Sequence, residues 1–94
     1  MQHTVLIVDD EESIRTSLRG ILEDEQYTVL EASSGESALE LLENVPVSAI
    51  LLDIWMEGID GVETLRRIKT QGVGKELNTD VPIIMMSGHG TIET

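Results

Sequence analysis

Residues 51–61 read LLDIWMEGIDG. The aliphatic run at 49–52 stops abruptly at the carboxylate of Asp53, and Gly58 and Gly61 bracket the loop that follows. Continuous rather than alternating apolarity marks a strand covered on both faces, as in a parallel sheet. In an open parallel sheet, ligands gather at the carboxyl ends of the strands. A carboxylate standing where such a strand stops is placed for chemistry if the other strands supply partners.

They do. Upstream, Thr4–Val8 is a short β-branched and aliphatic run that ends at the pair Asp9-Asp10. Ile14, Leu18, Ile21 and Leu22 then recur at helical spacing, with Asp10, Glu11 and Glu12 crowding the helix start, where they suit its dipole. Arg15 and Arg19 fall on what reads as a solvated face of that helix. Residues 27–32 read as a second strand, made more polar by Thr28 and Glu31, as an edge strand would be. Ser34 can cap a second helix carrying Ala38, Leu39, Leu41 and Leu42. Pro46 punctuates before the third strand at 49–52.

Downstream, Asp60 and Glu63 match the D-x-x-E form of a capping box, opening a third helix with Val62, Leu65 and Ile68 expected inward. Arg66, Arg67 and Lys69 form the densest basic cluster and read as its wet face. A polar loop fills 71–80. A fourth strand at 81–86 tolerates Pro82 near its start and runs into Ser87-Gly88-His89-Gly90. Thr91 looks like the cap of a further helix. Strand and helix thus alternate, which means an α/β protein with a parallel sheet.

Three strands therefore end in polar side chains at one edge: Asp9 and Asp10, Asp53, and Ser87. If the strand order reverses between the first and third strands, a crevice forms between them. Carboxylates converging there repel one another unless a cation intervenes. Oxygen donors without His or Cys suit Mg²⁺ better than zinc. Mg²⁺ would also let an anion approach a carboxylate that otherwise repels it, the central problem in moving a phosphoryl group onto Asp. Ser87 could donate a hydrogen bond to a phosphoryl oxygen. Each piece alone has a plainer reading: a turn and helix cap for the Asp pair, a turn former for Ser87. Their joint placement on one edge favours the site.

The totals narrow the field. Ninety-four residues make one small domain, able to bury about 60–65% of its unfolded surface. A net charge of −12, with Tyr27 and Trp55 the only aromatics, opposes nucleic-acid binding, which needs clustered cations or stacking rings. No cysteine is present, which excludes disulfides, thiolate zinc and thiol catalysis. The acidic N-terminus is unlike a signal peptide and no apolar run approaches a membrane span, so the expectation is a cytoplasmic protein with no membrane contact.

VLIVDDEESIR, LLDIWMEGIDGVETLRRIK and VPIIMMSGHG together resemble the receiver domain of bacterial two-component response regulators, in order and at the family's spacing along essentially the whole chain. The resemblance implies a flavodoxin-like, doubly wound sheet ordered 2-1-3-4 over residues 1–94. It implies Asp53 as phospho-acceptor, Asp9 and Asp10 as the acidic pair with Asp10 a direct Mg²⁺ ligand, the Trp55 backbone carbonyl in the metal shell, and Ser87 as switch hydroxyl. A sensor histidine kinase is the implied partner. SGHGTIET most resembles regulators of the nitrogen-regulation type, which implies a transcriptional output. The domain would act as a switch rather than an enzyme, beyond its own phosphorylation and dephosphorylation.

Two departures stand against the pattern. Glu57 occupies the position where the family usually has Pro. The chain stops at Thr94, before the family's fifth strand with its phosphate-pairing Lys and before the last helix. Lys75 and Lys69 lie toward the wrong edge to substitute for that Lys. The expectation is a fragment of a longer protein, or a homodimer or swapped dimer that supplies the missing surface. The rival reading is an interaction module that is never phosphorylated. A free-standing Mg²⁺ phosphohydrolase fits poorly, because no second acid follows Asp53 within two residues. His3 and His89 read as a terminal and a loop residue.

Overall fold

The computed structural model describes residues 3–71 and 80–86. Strands and helices alternate: β1 (Thr4–Val8), α1 (Glu12–Asp24), β2 (Thr28–Ala32), α2 (Gly35–Leu42), β3 (Ala49–Asp53), α3 (Gly61–Gln71) and β4 (Ile83–Met86). The strands form one parallel sheet in the order β2-β1-β3-β4. This is the flavodoxin-like α/β order that the resemblance implied, with its reversal between β1 and β3.

The central strands are apolar throughout because both faces are covered. Leu6, Ile7 and Val8 of β1 are fully buried. Leu6 pairs with Ile50 and Val8 with Leu52, so these four share one face. There they pack with Ala38 and Leu42 of α2 and Ile68 of α3. Burying each large aliphatic side chain contributes about 1.5–3 kcal/mol. The opposite face is less complete: Leu51 is half-buried, and Ile84 beside it on β4 is exposed.

Several details differ from the sequence reading. The second strand begins at Thr28 and the fourth at Ile83. Pro82 has no N–H to give a ladder, although its carbonyl still accepts from the Ile50 amide at 3.0 Å. In α3 the inward stripe is Gly61, Thr64, Leu65 and Ile68, and Val62, one step off that stripe, is exposed. Asp60 caps α3, its carboxylate accepting the Glu63 amide at 2.9 Å, but the Glu63 carboxylate turns to Arg66 and Arg67 instead of closing a capping box. Those two guanidiniums, Arg66 first, hold the Glu63 carboxyl down to about 2. Ser34 caps α2 as expected, accepting the Ser37 amide at 3.0 Å.

Helix α1 departs furthest. None of its residues is buried; Leu18 and Leu22 are half-buried against the sheet, while Ile14 and Ile21 face outward. Arg15 and Arg19 do not simply face solvent, because both reach across to Glu31 on β2, Arg15 at 3.0 Å. Burial pushes the Glu31 carboxyl up, but its bonds to Arg19 and Arg15 outweigh this and hold it below the usual carboxylate value. Among the described residues, no helix is long and apolar enough to cross a membrane.

Candidate functional site

Register builds the site. Val8 lies level with Leu52 on the neighbouring strand, so Asp9 and Asp53, one residue further on, stand side by side at the carboxyl edge. Both are buried, at 3% and 1% exposure, whereas Asp10 is exposed. Carboxylate oxygens of Asp9, Asp10 and Asp53 all lie within 4.8 Å of one another, close enough for a single cation to meet all three. Their donor chemistry is oxygen only, which fits a hard divalent cation such as Mg²⁺.

Backbone amides hold each acid in place. The Glu11 amide donates to Asp9 Oδ1 at 2.9 Å, and the Trp55 amide to Asp53 Oδ1 at 3.3 Å. The Glu57 amide donates to Asp10 Oδ2 at 3.3 Å, joining segments 47 residues apart in sequence. Arg15 adds a further tie: its guanidinium donates to the Asp9 carbonyl at 2.7 Å while also pairing with Glu31. One side chain thereby links α1, β2 and the end of β1.

The loop after Asp53 is a closed turn. The Gly61 amide returns to the Ile54 carbonyl at 2.9 Å. Gly58 sits at φ +80°, a conformation that side-chain-bearing residues rarely adopt. Glu36, in the first turn of α2, accepts the Ile59 amide at 3.3 Å and lies against Gly58. Gly61 is pressed onto the β3 end, where a Cβ would stand 2.8 Å from Ile54 Cα.

The structure therefore brings together Asp9, Asp10 and Asp53, with Trp55 and Glu57 beside them through their amides. The Trp55 indole is exposed next to this edge. Ser87, Lys75, His89 and Thr91 lie outside the described residues. Lys69 donates to the Val81 carbonyl at 3.1 Å, before β4 begins and away from the acids. His3 meets Ser48 at 3.4 Å, at the opposite edge of the sheet from the acids. Sequence reading missed Arg15, Glu31 and Glu36 as supports. Only the register, which sets Ile7 beside Glu31, explains how Arg15 and Glu31 meet.

A parallel sheet with this order and an acidic trio at its carboxyl edge defines a receiver fold. The chain belongs to the response regulator receiver domain family, whose model matches residues 5–94. It is 46% identical over 95 residues to an NtrX-like response regulator of Rickettsia felis, covering 99% of this chain and 19% of the relative. It is 43% identical over 96 residues to the nitrogen assimilation regulatory protein NtrX of Azorhizobium caulinodans, covering 100% of this chain and 20% of that one. The chain thus spans about a fifth of the length of these curated relatives.

Solved structures agree. The N-terminal domain of a response regulator receiver protein from Methanoculleus marisnigri superposes with a TM-score of 0.81 at 41% identity, covering 90% of this chain and 66% of that one. The chemotaxis protein CheY4 of Vibrio cholerae gives 0.80 at 30% identity, covering 90% and 68%.

Proposed function

We propose that this receiver domain accepts a phosphoryl group on Asp53, with Mg²⁺ at the acidic trio, from the phosphohistidine of a sensor histidine kinase. The observation that carries this reading is the convergence of three carboxylates within 4.8 Å around a buried Asp at a strand end. Asp9, Asp10 and Asp53 would hold the ion, with the Trp55 carbonyl completing the protein's share. Bound there, Mg²⁺ neutralises the charge that an incoming phosphoryl group would otherwise meet.

The chemistry asked of the chain is modest. An Asp53 carboxylate oxygen attacks phosphorus, the P–N bond to the donor imidazole breaks, and its electron pair leaves on the imidazole nitrogen. The product is an acyl phosphate on Asp53. Attack by water later returns the carboxylate and inorganic phosphate. Asp53 is kept in position by the Trp55 amide, and Asp9 by the Glu11 amide and Arg15. Ser87 is assigned as the switch hydroxyl on the family pattern. The acyl phosphate would then bias the segment after β4 between two arrangements.

The names of the longer relatives, a nitrogen assimilation regulatory protein among them, support a transcriptional output carried beyond this chain. A net charge of −12 supports a domain that leaves nucleic acid to such a partner. The face exposed around Ile84 would be covered by further residues of a longer chain, as in the longer relatives, or else by dimerisation, including a swapped dimer. Incubation with acetyl phosphate or beryllofluoride plus Mg²⁺ tests the central assignment. One modification that disappears in Asp53→Asn is expected, and labelling that survives this substitution refutes it. A chain that takes no label at all would be the unphosphorylated interaction module.

A further inference from the structure

We infer that Glu36 is a positioning residue for the metal site, acting through the turn at 55–59; this rests on the Mg²⁺ reading above. Asp10 is exposed, so packing does not fix its carboxylate. Its orientation comes from the Glu57 amide, which donates to Asp10 Oδ2 at 3.3 Å. Two residues further on, the Ile59 amide donates to Glu36 Oε2 at the same distance. Between these two bonds lies Gly58, at φ +80°, with the Glu36 carboxylate set against it.

So short a link transmits displacement. If Glu36 releases Ile59, the segment keeps its closure at Gly61 and Ile54 and the packing of the Ile59 side chain on Gly35, but its backbone loses the hydrogen bond to α2. The Glu57 amide then shifts relative to Asp10, and the trio is no longer held in the spacing a single cation needs. Supports one layer behind metal ligands commonly act in this way, by orienting them. The role requires a hydrogen-bond acceptor at position 36 and not a charge, because the group it meets is a neutral amide. Gln can supply that acceptor and Ala cannot.

The test is Mg²⁺ titration of the 94-residue chain, followed in parallel by Trp55 fluorescence and by calorimetry, for wild type, Glu36→Gln and Glu36→Ala. Glu36→Gln should keep the wild-type Mg²⁺ Kd within about twofold, and Glu36→Ala should weaken it by about threefold or more, the usual reach of one hydrogen bond. A purely structural role would lower the thermal midpoint of Glu36→Ala while leaving its Kd unchanged, and that result overturns the inference. Equal weakening in both variants also overturns it, since charge rather than the hydrogen bond would then be responsible. A wild-type chain that is silent to Mg²⁺ by both methods sinks the metal reading itself, an outcome distinct from either.

Discussion

Replacing Gly61 by alanine places a methyl group between α3 and the end of β3. An ideal Cβ there lies 2.8 Å from Ile54 Cα and 2.9 Å from the Asp53 carbonyl carbon, with the Asp53 carbonyl oxygen closer still. Carbon atoms in comfortable contact stand roughly 3.5–4.0 Å apart. The backbone must therefore open by about 1 Å, because none of these atoms is the end of a flexible side chain. Overpacking in a tight core costs about 1–3 kcal/mol, and contact of backbone on backbone falls at the upper end. For a domain of this size, 3 kcal/mol corresponds to a fall in Tm of about 12–24 °C.

Gly20 supplies the matched control. It lies inside α1 with nothing within 4 Å of its ideal Cβ, so alanine there should stabilise the helix by about 1 kcal/mol. Thermal unfolding followed by circular dichroism reads both variants. Gly61→Ala should unfold far below wild type and Gly20→Ala slightly above it. A loss of less than about 4 °C in Gly61→Ala would refute the close-approach argument, since it would correspond to under about 1 kcal/mol.

Three other outcomes are expected. Glu57→Pro removes the amide that meets Asp10, whereas Glu57→Gln removes only the charge; the Mg²⁺ Kd of the proline variant should exceed that of the glutamine variant by about two- to fivefold, and equality would make the amide a spectator. Glu63 has its folded-state value lowered from 4.5 to about 2, so its contribution to stability is complete above pH 4.5 and is lost as pH falls toward 2. Carbon-detected NMR should place the Glu63 midpoint near 2, and a midpoint at 4.5 would show that the Arg66 and Arg67 pairs do not persist in solution. Leu42→Ala empties a fully buried position beneath α2 and should cost about 2–5 kcal/mol in chemical denaturation, a cost that an exposed Val62→Ala should not approach.

Much of this fold was legible because its signals are local. Continuous apolar runs marked β1 and β3, and the acids that ended them marked the carboxyl edge. The strand order came with the family resemblance and matches the sheet observed. What stayed hidden depends on distance across the sheet. Arg15 meets Glu31 16 residues away because parallel register sets the β2 edge beneath α1, and helical spacing alone carries no trace of that. Val62 was expected inward because it is apolar, yet the stripe that meets the sheet runs through Thr64, whose hydroxyl can be buried only because it donates to the Asp60 carbonyl at 2.8 Å. Nothing in the sequence pattern distinguishes Glu36 from any acidic residue in a first helical turn. Its link to the Ile59 amide exists only once α2 and the turn after β3 are folded together.

The way α1 is held has a consequence for motion. Among the described residues its apolar anchorage is two half-buried leucines, joined by a charged clasp from Arg15 and Arg19 to Glu31 and to the Asp9 and Val29 carbonyls. Segments with so little buried apolar surface open independently of the global unfolding event. Amides of α1 should therefore exchange with deuterium ahead of those in β1 and β3, and sooner in salt, which screens the partly exposed clasp. Because Arg15 also grips the Asp9 carbonyl, each such opening releases one wall of the acidic trio. The breathing of a surface helix and the readiness of the site are thus tied to a single guanidinium.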